Sequence, residues 1–272
     1  MRMMMRPVQT QFADRFKYIG VAYSFSRDLY MHAGYTHVGV ALVGGAGGRG
    51  GDSVKNADNS VWGAGGGGGG SLILNIDLKD LPVPGTLASA GVAGTHGANV
   101  ASGVLGVAGT AGGDSTFMSW TAFGGKGGGG GKVDYDVHLG GSGNLSDGGD
   151  GGDNSLGLGT VGQGSTGTNI STTPNHTVPT AGVAEAGGQI GGGGGGGGTG
   201  KARTNAQTNF AGEAGKAGNV GWTLDHAGGP MVASKGGDGG GADIQVISGA
   251  HEYYGSYAAG ANPNGVVAFL LS

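Results

Sequence analysis

Cysteine is absent from this chain, which excludes disulfide bonds, thiolate metal sites and cysteine nucleophiles. Charged side chains are scarce, since Asp, Glu, Lys and Arg make up 12% of the residues, about half the usual share. There are 14 basic and 18 acidic residues, so the net charge is −4. The chain therefore lacks the excess of cations with which nucleic-acid-binding proteins neutralise phosphates, and we expect no nucleic-acid partner.

Long apolar runs are missing as well. The longest, residues 266–271, is far short of the roughly 20 residues that a membrane-spanning helix needs. The methionines and Arg6 at the start resemble the beginning of a signal peptide, but residues 7–11 supply no apolar h-region. We therefore expect neither a cleaved leader nor membrane insertion.

Glycine, by contrast, accounts for 71 of the 272 residues, and much of it recurs with a period of three. Residues 44–52 are three consecutive Gly-Gly-x triplets, and related triplets lie at residues 124–128, 148–153 and 236–240. A sparser version runs through residues 91–112, where Gly occupies every third position except at Val100, and through residues 212–221. This period fits neither an α-helix nor a β-strand. It is typical of a helix with three residues per turn and a rise of about 3.1 Å, which makes no internal hydrogen bonds.

Ordered helices of this kind must pair their backbone groups with neighbouring helices. The sequence thus predicts a mostly non-helical fold, a polyglycine-II lattice or sandwich with a few flanking β-strands. Collagen shares the period, but the triplet runs contain no proline. We expect the bare runs 65–70 and 191–198 inside the lattice, the segments of Gly-Gly-x triplets along its surface, and the mostly charged x residues in water. These x residues are Ala46, Arg49, Asp52, Lys126, Asp150, Asp153 and Asp238. The glycines predicted to be structural are Gly47, Gly67, Gly94, Gly127, Gly194, Gly215 and Gly239.

Four stretches have the composition of β-strands, and sequence-distant strands could form a sheet that clamps the lattice. They are residues 35–43, 71–78, 244–247 and 266–271, and a single helical turn is expected near residues 78–82. Residues 1–29 differ again, because they concentrate aromatic side chains. We therefore divide the chain into residues 1–29, which either dock onto another protein or add strands, and a glycine-rich domain over residues 30–272.

Several non-glycine anchors carry a resemblance to a known family. They include AGYTHVGVALVGGAGG at residues 33–48, the glycine run 65–70 with the strand-like residues 71–78 and Leu81-Pro82, and residues 112–117 and 121–125. In wording and order these stretches resemble the glycine-rich domain of minor tail proteins of actinobacterial, mycobacteriophage-like phages. The architecture is also similar to that of polyglycine-II sandwich adhesins on the tail fibres of T-even-like phages, whose distal loops touch the host. The likeness covers about 240 residues and does not include residues 1–29.

Catalytic and cofactor motifs are not apparent. The seven His and eighteen acidic residues include no His-x-x-x-His, Glu-x-x-His or His-Glu-x-x-His spacing. Residues 148–153 with Asn154 could hold Ca²⁺ or form a solvated rim, and residues 195–201 resemble a phosphate loop without its Ser/Thr and helix. Trp62, Trp120 and Trp222 could stack on sugars or pack over the lattice edge. We expect no enzymatic activity, no cofactor and no metal.

The connections between glycine blocks carry most of the polar variety. Residues 166–178 and 199–210 are rich in Thr and Asn, and residues 251–264 combine Tyr with small residues, a composition of adaptable binding surfaces. The candidate receptor contacts are Asn169, Asn175, His176, Tyr253, Tyr254 and Tyr257. With the resemblance, they imply a virion protein at the tail tip that binds a glycan or another envelope component of a bacterial surface. Residues 1–29 would contact other tail proteins, and the protein could be a homo-oligomer. The alternative is a purely structural tail or cell-wall-type scaffold without a ligand.

Overall fold

The structure is a computed structural model, and it is mostly non-helical. It describes residues 16–19, 22–56, 59–61, 63–83, 85–101, 104–131, 147–166, 178–186, 190–197, 202–203, 209–210 and 264–271. Within these ranges the helices are α1, Arg27–His32, and a single 3-10 turn, Leu78–Asp80. The predicted helical turn near residues 78–82 is thus confirmed, whereas α1 was not predicted. None of the helices in the described ranges is long and apolar enough to cross a bilayer.

Fifteen short strands in the described ranges form three sheets. The first sheet is antiparallel and has six strands in the order β1-β15-β3-β6-β12-β11. Their bounds are β1 Phe16–Ile19, β15 Val266–Leu271, β3 His37–Val43, β6 Ser71–Asp77, β12 Ile190–Gly192 and β11 Ala184–Ala186. The second sheet is also antiparallel, in the order β10-β9-β7-β2. It contains β10 Trp120–Ala122, β9 Ser115–Phe117, β7 Thr86–Ser89 and β2 Ala22–Phe25.

The third sheet has the order β14-β13-β5-β4-β8 and contains one parallel pair, β4 with β8. Its strands are β14 Asn209–Phe210, β13 Ala202–Arg203, β5 Asn59–Val61, β4 Ser53–Asn56 and β8 Val100–Ala101. They have two to four residues each. Strands this short carry almost no periodicity, which is why the sequence does not predict this sheet.

Three of the predicted strands are confirmed as β3, β6 and β15, and they lie side by side in the first sheet. Leu72, Leu74 and Ile76 of β6 alternate with more exposed residues, as expected for a strand with one buried face. Strand β15 pairs along its whole length with β3 and also pairs with β1. The fourth predicted strand, residues 244–247, lies outside the described residues.

The aromatic segment near the start of the chain contributes β1 and β2. The ring of Phe25 at the end of β2 is buried and lies 4.8 Å from Phe269 of β15 and 5.9 Å from Phe117 of β9, between ring centroids. These three rings join the first sheet to the second. The remaining core side chains surround them, including Tyr30, Val38, Val40, Leu42, Leu72, Leu74, Leu78, Leu81, Ala88, Ala122, Val267 and Leu271.

The glycine-rich segments form a second body beyond these two sheets, which we call the glycine array. It consists of nine segments, residues 44–52, 63–70, 91–99, 106–114, 123–131, 147–153, 161–166, 178–183 and 193–197. Neighbouring segments are joined by backbone hydrogen bonds at every third residue. For example, the N–H groups of Gly44, Gly47 and Gly50 donate to the carbonyls of Gly70, Gly67 and Ala64 at 2.9 to 3.0 Å. The period of three in the sequence is therefore the period of lateral pairing.

Close contact between backbones is what requires glycine in this array. A Cβ added at Gly47 would overlap the carbonyl of Lys126, and one added at Gly67 would overlap the carbonyl of Asp150. The same holds for other predicted structural glycines, with Gly94 against Thr110, Gly127 against Gly109 and Gly194 against Gly68. Gly215 and Gly239 lie outside the described residues.

Burial in the array follows the sequence in one respect and departs from it in another. The bare runs 65–70 and 191–197 are buried as expected. Segment 44–52 was predicted to line the surface, with Arg49 and Asp52 in water, and this is wrong. The segment hydrogen-bonds to four neighbours, 63–70, 91–99, 106–114 and 123–131, and Ala46, Arg49 and Asp52 are all buried. The two charges are tolerated because the guanidinium of Arg49 forms an ion pair with the Asp52 carboxylate three residues on.

Candidate functional site at the loop end of the array

The array has two ends, and successive segments run between them in opposite directions. Segment 44–52 is antiparallel to 63–70, segment 91–99 to 106–114, and segment 123–131 to 147–153. Residues 44, 70, 91, 114, 123, 153, 161, 183 and 193 thus share one end, at which the chain enters the first two sheets; we call it the sheet end. Residues 52, 63, 99, 106, 131, 147, 166, 178 and 197 share the other, the loop end.

The third sheet lies at the loop end. Strands β4 and β5 join residue 52 to residue 63, β8 follows residue 99, and β13 pairs with β5. Connections from segments that are distant in sequence are thereby held against one another by backbone hydrogen bonds. A rigid platform with short strands and loops at its tip is the arrangement in which recognition residues are commonly found.

In the sequence, the first group of predicted contact residues falls between two described residues of this end. Asn169, Asn175 and His176 lie outside the described residues, but the described residues on either side, Thr166 and Val178, are both exposed and both at the loop end. The connection 166–178 therefore leaves and returns to the array there. Within the connection 199–210, β13 and β14 belong to the sheet of the loop end.

The second group is followed in the sequence by residues at the opposite end. Tyr253, Tyr254 and Tyr257 lie outside the described residues, and the next described residue is Asn264. Its side-chain oxygen accepts a hydrogen bond from the Ala93 N–H at 2.8 Å, and the Gly265 N–H donates to the Gly91 carbonyl at 2.8 Å. Asn264 and Gly265 are thus at the sheet end, just before β15. The described residue that precedes this group, Phe210, is in β14 at the loop end, so the second group is bordered by described residues of both ends.

Polar side chains near the loop end accept hydrogen bonds from backbone N–H groups in and beside segment 44–52. The Arg49 N–H donates to His96 Nδ1 at 3.2 Å, and the Asp52 N–H donates to Asn99 Oδ1 at 2.8 Å. A carboxylate oxygen of Asp52 also accepts the Gly63 N–H at 2.9 Å. These contacts satisfy buried donors at positions where the array supplies no carbonyl.

Comparison with known proteins adds no family to this description. No protein-family model matches the chain, and no curated protein matches it significantly.

The residues considered for Ca²⁺ are engaged in other contacts. The carboxylate of Asp150 accepts hydrogen bonds from Lys126 Nζ at 2.8 Å and from the Gly164 N–H at 2.9 Å. Burial raises the pKa of Asp150, but these hydrogen bonds and the charge of Lys126 outweigh it and hold the pKa below its ordinary value. Asn154 is buried and binds the backbone of its own turn, at Leu156 and Leu158. Among the described residues, no group of three His, Cys, Asp or Glu side chains is placed to hold a metal ion.

A hydroxyl, an imidazole and a carboxylate meet at the far end of the β3–β6 pair. Thr36 Oγ1 lies 2.8 Å from His37 Nδ1, and His37 Nε2 lies 2.6 Å from Asp77 Oδ1. Lys79 Nζ is 2.8 Å from the other carboxylate oxygen, and this hydrogen bond is the main reason why the pKa of Asp77 is lowered. Because His37 and Asp77 are directly opposite each other on β3 and β6, the cluster ties the ends of the two strands together.

Among the residues considered for sugar stacking and for a phosphate loop, Trp120 and residues 195–197 are described, and both pack against the rest of the protein. Trp120 is half-buried, and its ring stacks on Phe117 with centroids 6.4 Å apart. Residues 195–197 are buried in the array. Trp62, Trp222 and Lys201 lie outside the described residues.

Sequence reasoning did not single out the exposed aliphatic residues near the loop end. Val104, Leu105 and Val107 are each more than half exposed, in and beside the connection from segment 91–99 to segment 106–114. The available signal was the composition of this region, since no Asp, Glu, Lys or Arg occurs from residue 81 to residue 113.

Proposed function

We propose that the glycine array is a polyglycine-II lattice. Three features support this: the period of three in the sequence, the hydrogen bonds that recur at every third residue, and the glycine positions at which a Cβ would overlap a neighbouring backbone. In this conformation each segment rises by about 3.1 Å per residue and bonds only to its neighbours. An experimental structure with α-helix or a three-chain collagen twist over residues 91–112 would contradict the proposal.

We further propose that the protein is a non-enzymatic component of a phage tail tip, in which the lattice is a rigid platform for recognition of the host surface. The resemblance to minor tail proteins of actinobacterial phages suggests the setting. The observation that carries the role is that Thr166 and Val178, which border one polar connection, lie at the same end of the array as strands β13 and β14 of the connection 199–210, away from the apolar core. The receptor would be a glycan or another component of the bacterial envelope, and residues 1–29 would contact other tail proteins.

Binding of purified protein to actinobacterial host cells tests this role. We expect a variant in which residues 167–177 are replaced by a short Gly-Ser linker to lose most of the binding. Because residues 264–265 are at the sheet end, shortening residues 251–263 is a separate variant that tests the tyrosine group independently. Leu87→Ser, at an exposed position of β7, is the matched control and should bind like the wild type. Melting curves establish that each variant is folded.

The alternative is a structural scaffold, in which the array spaces or supports other tail parts and has no ligand. Equal binding by the wild type and both loop variants, or binding by none of them, would favour the scaffold and overturn the recognition role. Labelling of the chain in assembled particles separates the two further, since recognition requires the loop end to face outward.

A further inference from the structure

Two side chains of segment 91–99 make the same kind of contact three residues apart. His96 Nδ1 accepts the Arg49 N–H at 3.2 Å, and Asn99 Oδ1 accepts the Asp52 N–H at 2.8 Å. The lateral pairing of the array repeats at every third residue. His96 and Asn99 therefore occupy equivalent positions, and each holds its segment to the neighbouring one through a backbone N–H group of that neighbour.

The N–H groups of Arg49 and Asp52 differ from the others of segment 44–52. Six of those donate to backbone carbonyls of two neighbouring segments, at residues 44, 45, 47, 48, 50 and 51. The carbonyls of Arg49 and Asp52 accept the N–H groups of Gly97 and Val100 at 2.9 and 2.8 Å, whereas their N–H groups have side-chain acceptors instead. Because both residues are buried, loss of such an acceptor leaves a backbone donor away from water without a partner, which is costly.

Only one of the two side-chain acceptors titrates near neutral pH. The Asn99 amide has no titratable group, so its oxygen is always an acceptor. His96 accepts through Nδ1 only while its ring is neutral, with the ring proton on Nε2. When the ring is protonated, Nδ1 also carries a proton, and two donors then face each other. Histidine is the side chain whose charge ordinarily changes between about pH 5 and about pH 8.

Among the described residues, the charged groups next to His96 leave no counter-ion for a second cation. The neighbouring segment contributes the Arg49 guanidinium and the Asp52 carboxylate, which are buried and paired with each other. Arg49 Nε is buried without a hydrogen-bond partner among these residues. The other adjacent segment contributes only Asp114, at the sheet end, and the segment of His96 itself has no acidic or basic residue besides this histidine. Since His96 is exposed, its protonated ring is more stable in water than against the Arg49 backbone.

We propose that His96 is a pH-sensitive switch in the array. The neutral ring binds the Arg49 N–H and joins segment 91–99 to segment 44–52, and the protonated ring turns into water and releases that N–H. Both segments lead from here into the third sheet, through β8 and β4. The two segments should therefore separate more often at the loop end when the pH is acidic. The proposal does not rest on the proposed function, since the contacts are internal to the array.

The direction of the effect follows from proton linkage. The open form binds a proton that the closed form excludes, so opening becomes more frequent as the pH falls. At about pH 5 a free imidazole is protonated roughly 30-fold more often than it is neutral. The frequency of opening should therefore rise by up to about 30-fold from about pH 7.5 to about pH 5.

Amide hydrogen exchange, resolved by residue over this pH range, is the direct test. In the wild type the protection factor of the Arg49 amide should fall by up to about 30-fold in acid, whereas that of the Asp52 amide should stay constant. His96→Asn supplies the acceptor that Asn99 provides at the equivalent position, so its Arg49 amide should be equally protected throughout. His32→Asn, at an exposed position of α1, is the matched control and should behave like the wild type.

A reciprocal variant tests whether a histidine at this kind of position is sufficient. Asn99→His places an imidazole opposite the Asp52 N–H, and protection of the Asp52 amide should then fall in acid together with that of Arg49. Melting curves at neutral pH establish that each variant is folded. A constant protection factor for Arg49 in the wild type, a fall that persists in His96→Asn, or a constant Asp52 amide in Asn99→His would overturn the proposal.

Discussion

Gly194 shows what the array demands of a single residue. Its N–H donates to the Gly152 carbonyl at 2.9 Å, its own carbonyl accepts the Gly162 N–H at 2.8 Å, and an added Cβ would overlap the carbonyl of Gly68. Gly194→Val should therefore overpack the interior and lower the free energy of unfolding by about 1–3 kcal/mol. Each hydrogen bond that is lost should lower it by roughly 1 kcal/mol more. Urea unfolding gives the change in the free energy of unfolding.

Gln163→Val is the control for this substitution, since it introduces the same side chain at an exposed x position of segment 161–166. We expect it to change stability by no more than about 0.5 kcal/mol. Asp150→Ala is a less suitable control than the sequence implies, because Asp150 accepts hydrogen bonds from Lys126 and Gly164. Equal effects of Gly194→Val and Gln163→Val would mean that the interior tolerates a side chain, contrary to the packing described.

Arg49 and Asp52 provide a second test at this scale. Both side chains are 7% exposed, so Arg49→Met leaves the Asp52 carboxylate buried without its counter-ion, at a cost of about 3–5 kcal/mol. In Arg49→Met/Asp52→Asn the charge is gone, while the Asn oxygen still accepts the Gly63 N–H. The double variant should therefore be more stable than the single one in urea unfolding. A single variant as stable as the double would mean that the carboxylate is not desolvated.

These two sites mark the limit of prediction from sequence at the residue scale. Burial of residues 65–70 was predictable because a run without side chains has no face that prefers water. Burial of Arg49 and Asp52 was not, because charge normally indicates the surface. Their position is decided by the four neighbours of segment 44–52, which come from residues up to about 80 positions away in sequence.

At the scale of elements, the β9–β10 hairpin contains an exception to the chain's use of glycine. Phe117 pairs with Trp120, so Met118 and Ser119 form a two-residue turn, and Met118 has a positive φ of 57°. Glycine is favoured at such a position because a Cβ is strained there. Met118→Gly should therefore stabilise the protein by about 1 kcal/mol.

Thermal unfolding measures this effect, with Ser119→Gly as the control in the same turn. Ser119 lacks a positive φ, so its replacement by glycine only adds backbone freedom and should destabilise by roughly 0.5–1 kcal/mol. If Met118→Gly lowers the melting temperature as much as Ser119→Gly, contacts of the methionine side chain outweigh the strain.

The elements that the sequence predicted are those with enough residues to show a pattern. Strands β3, β6 and β15 have six or seven residues and alternate or carry a β-rich apolar composition. Strands β9, β10, β11 and β12 have three residues each, and α1 has six, so neither period is visible in them. Their pairing depends on where the glycine segments deliver the chain, which is a long-range property.

At the scale of the whole molecule, Phe269 connects the two ends of the sequence and the first two sheets. It is buried on β15, with ring centroids 4.8 Å from Phe25 and 5.2 Å from Phe117. Phe269→Ala should lower the free energy of unfolding by about 3–5 kcal/mol. Strand β3 leads directly into segment 44–52, and segment 63–70 leads directly into β6. The sheets and the array should therefore unfold as one unit.

Native-state amide exchange measures both parts of this prediction. In Phe269→Ala, protection should fall by the same factor for amides between β3 and β6 as for Gly44, Gly47 and Gly50 in the array. Leu87→Ala, at an exposed position, should leave both sets unchanged. Array amides that keep their protection while those of the sheets lose it would show two independent units.

The repeat of lateral hydrogen bonds at every third residue has an evolutionary consequence. If one triplet is inserted into each segment, every residue still hydrogen-bonds to the same neighbouring segment. This is because residue i+3 faces the same neighbour as residue i. In the proposed polyglycine-II conformation, with its rise of about 3.1 Å per residue, such an insertion lengthens the molecule by about 9 Å. Neither the apolar sheets nor the terminal connections need to change. The length of the array can thus change only in steps of three residues per segment. Homologous chains should therefore differ in segment length by multiples of three, whereas their loop-end connections can vary by any number of residues.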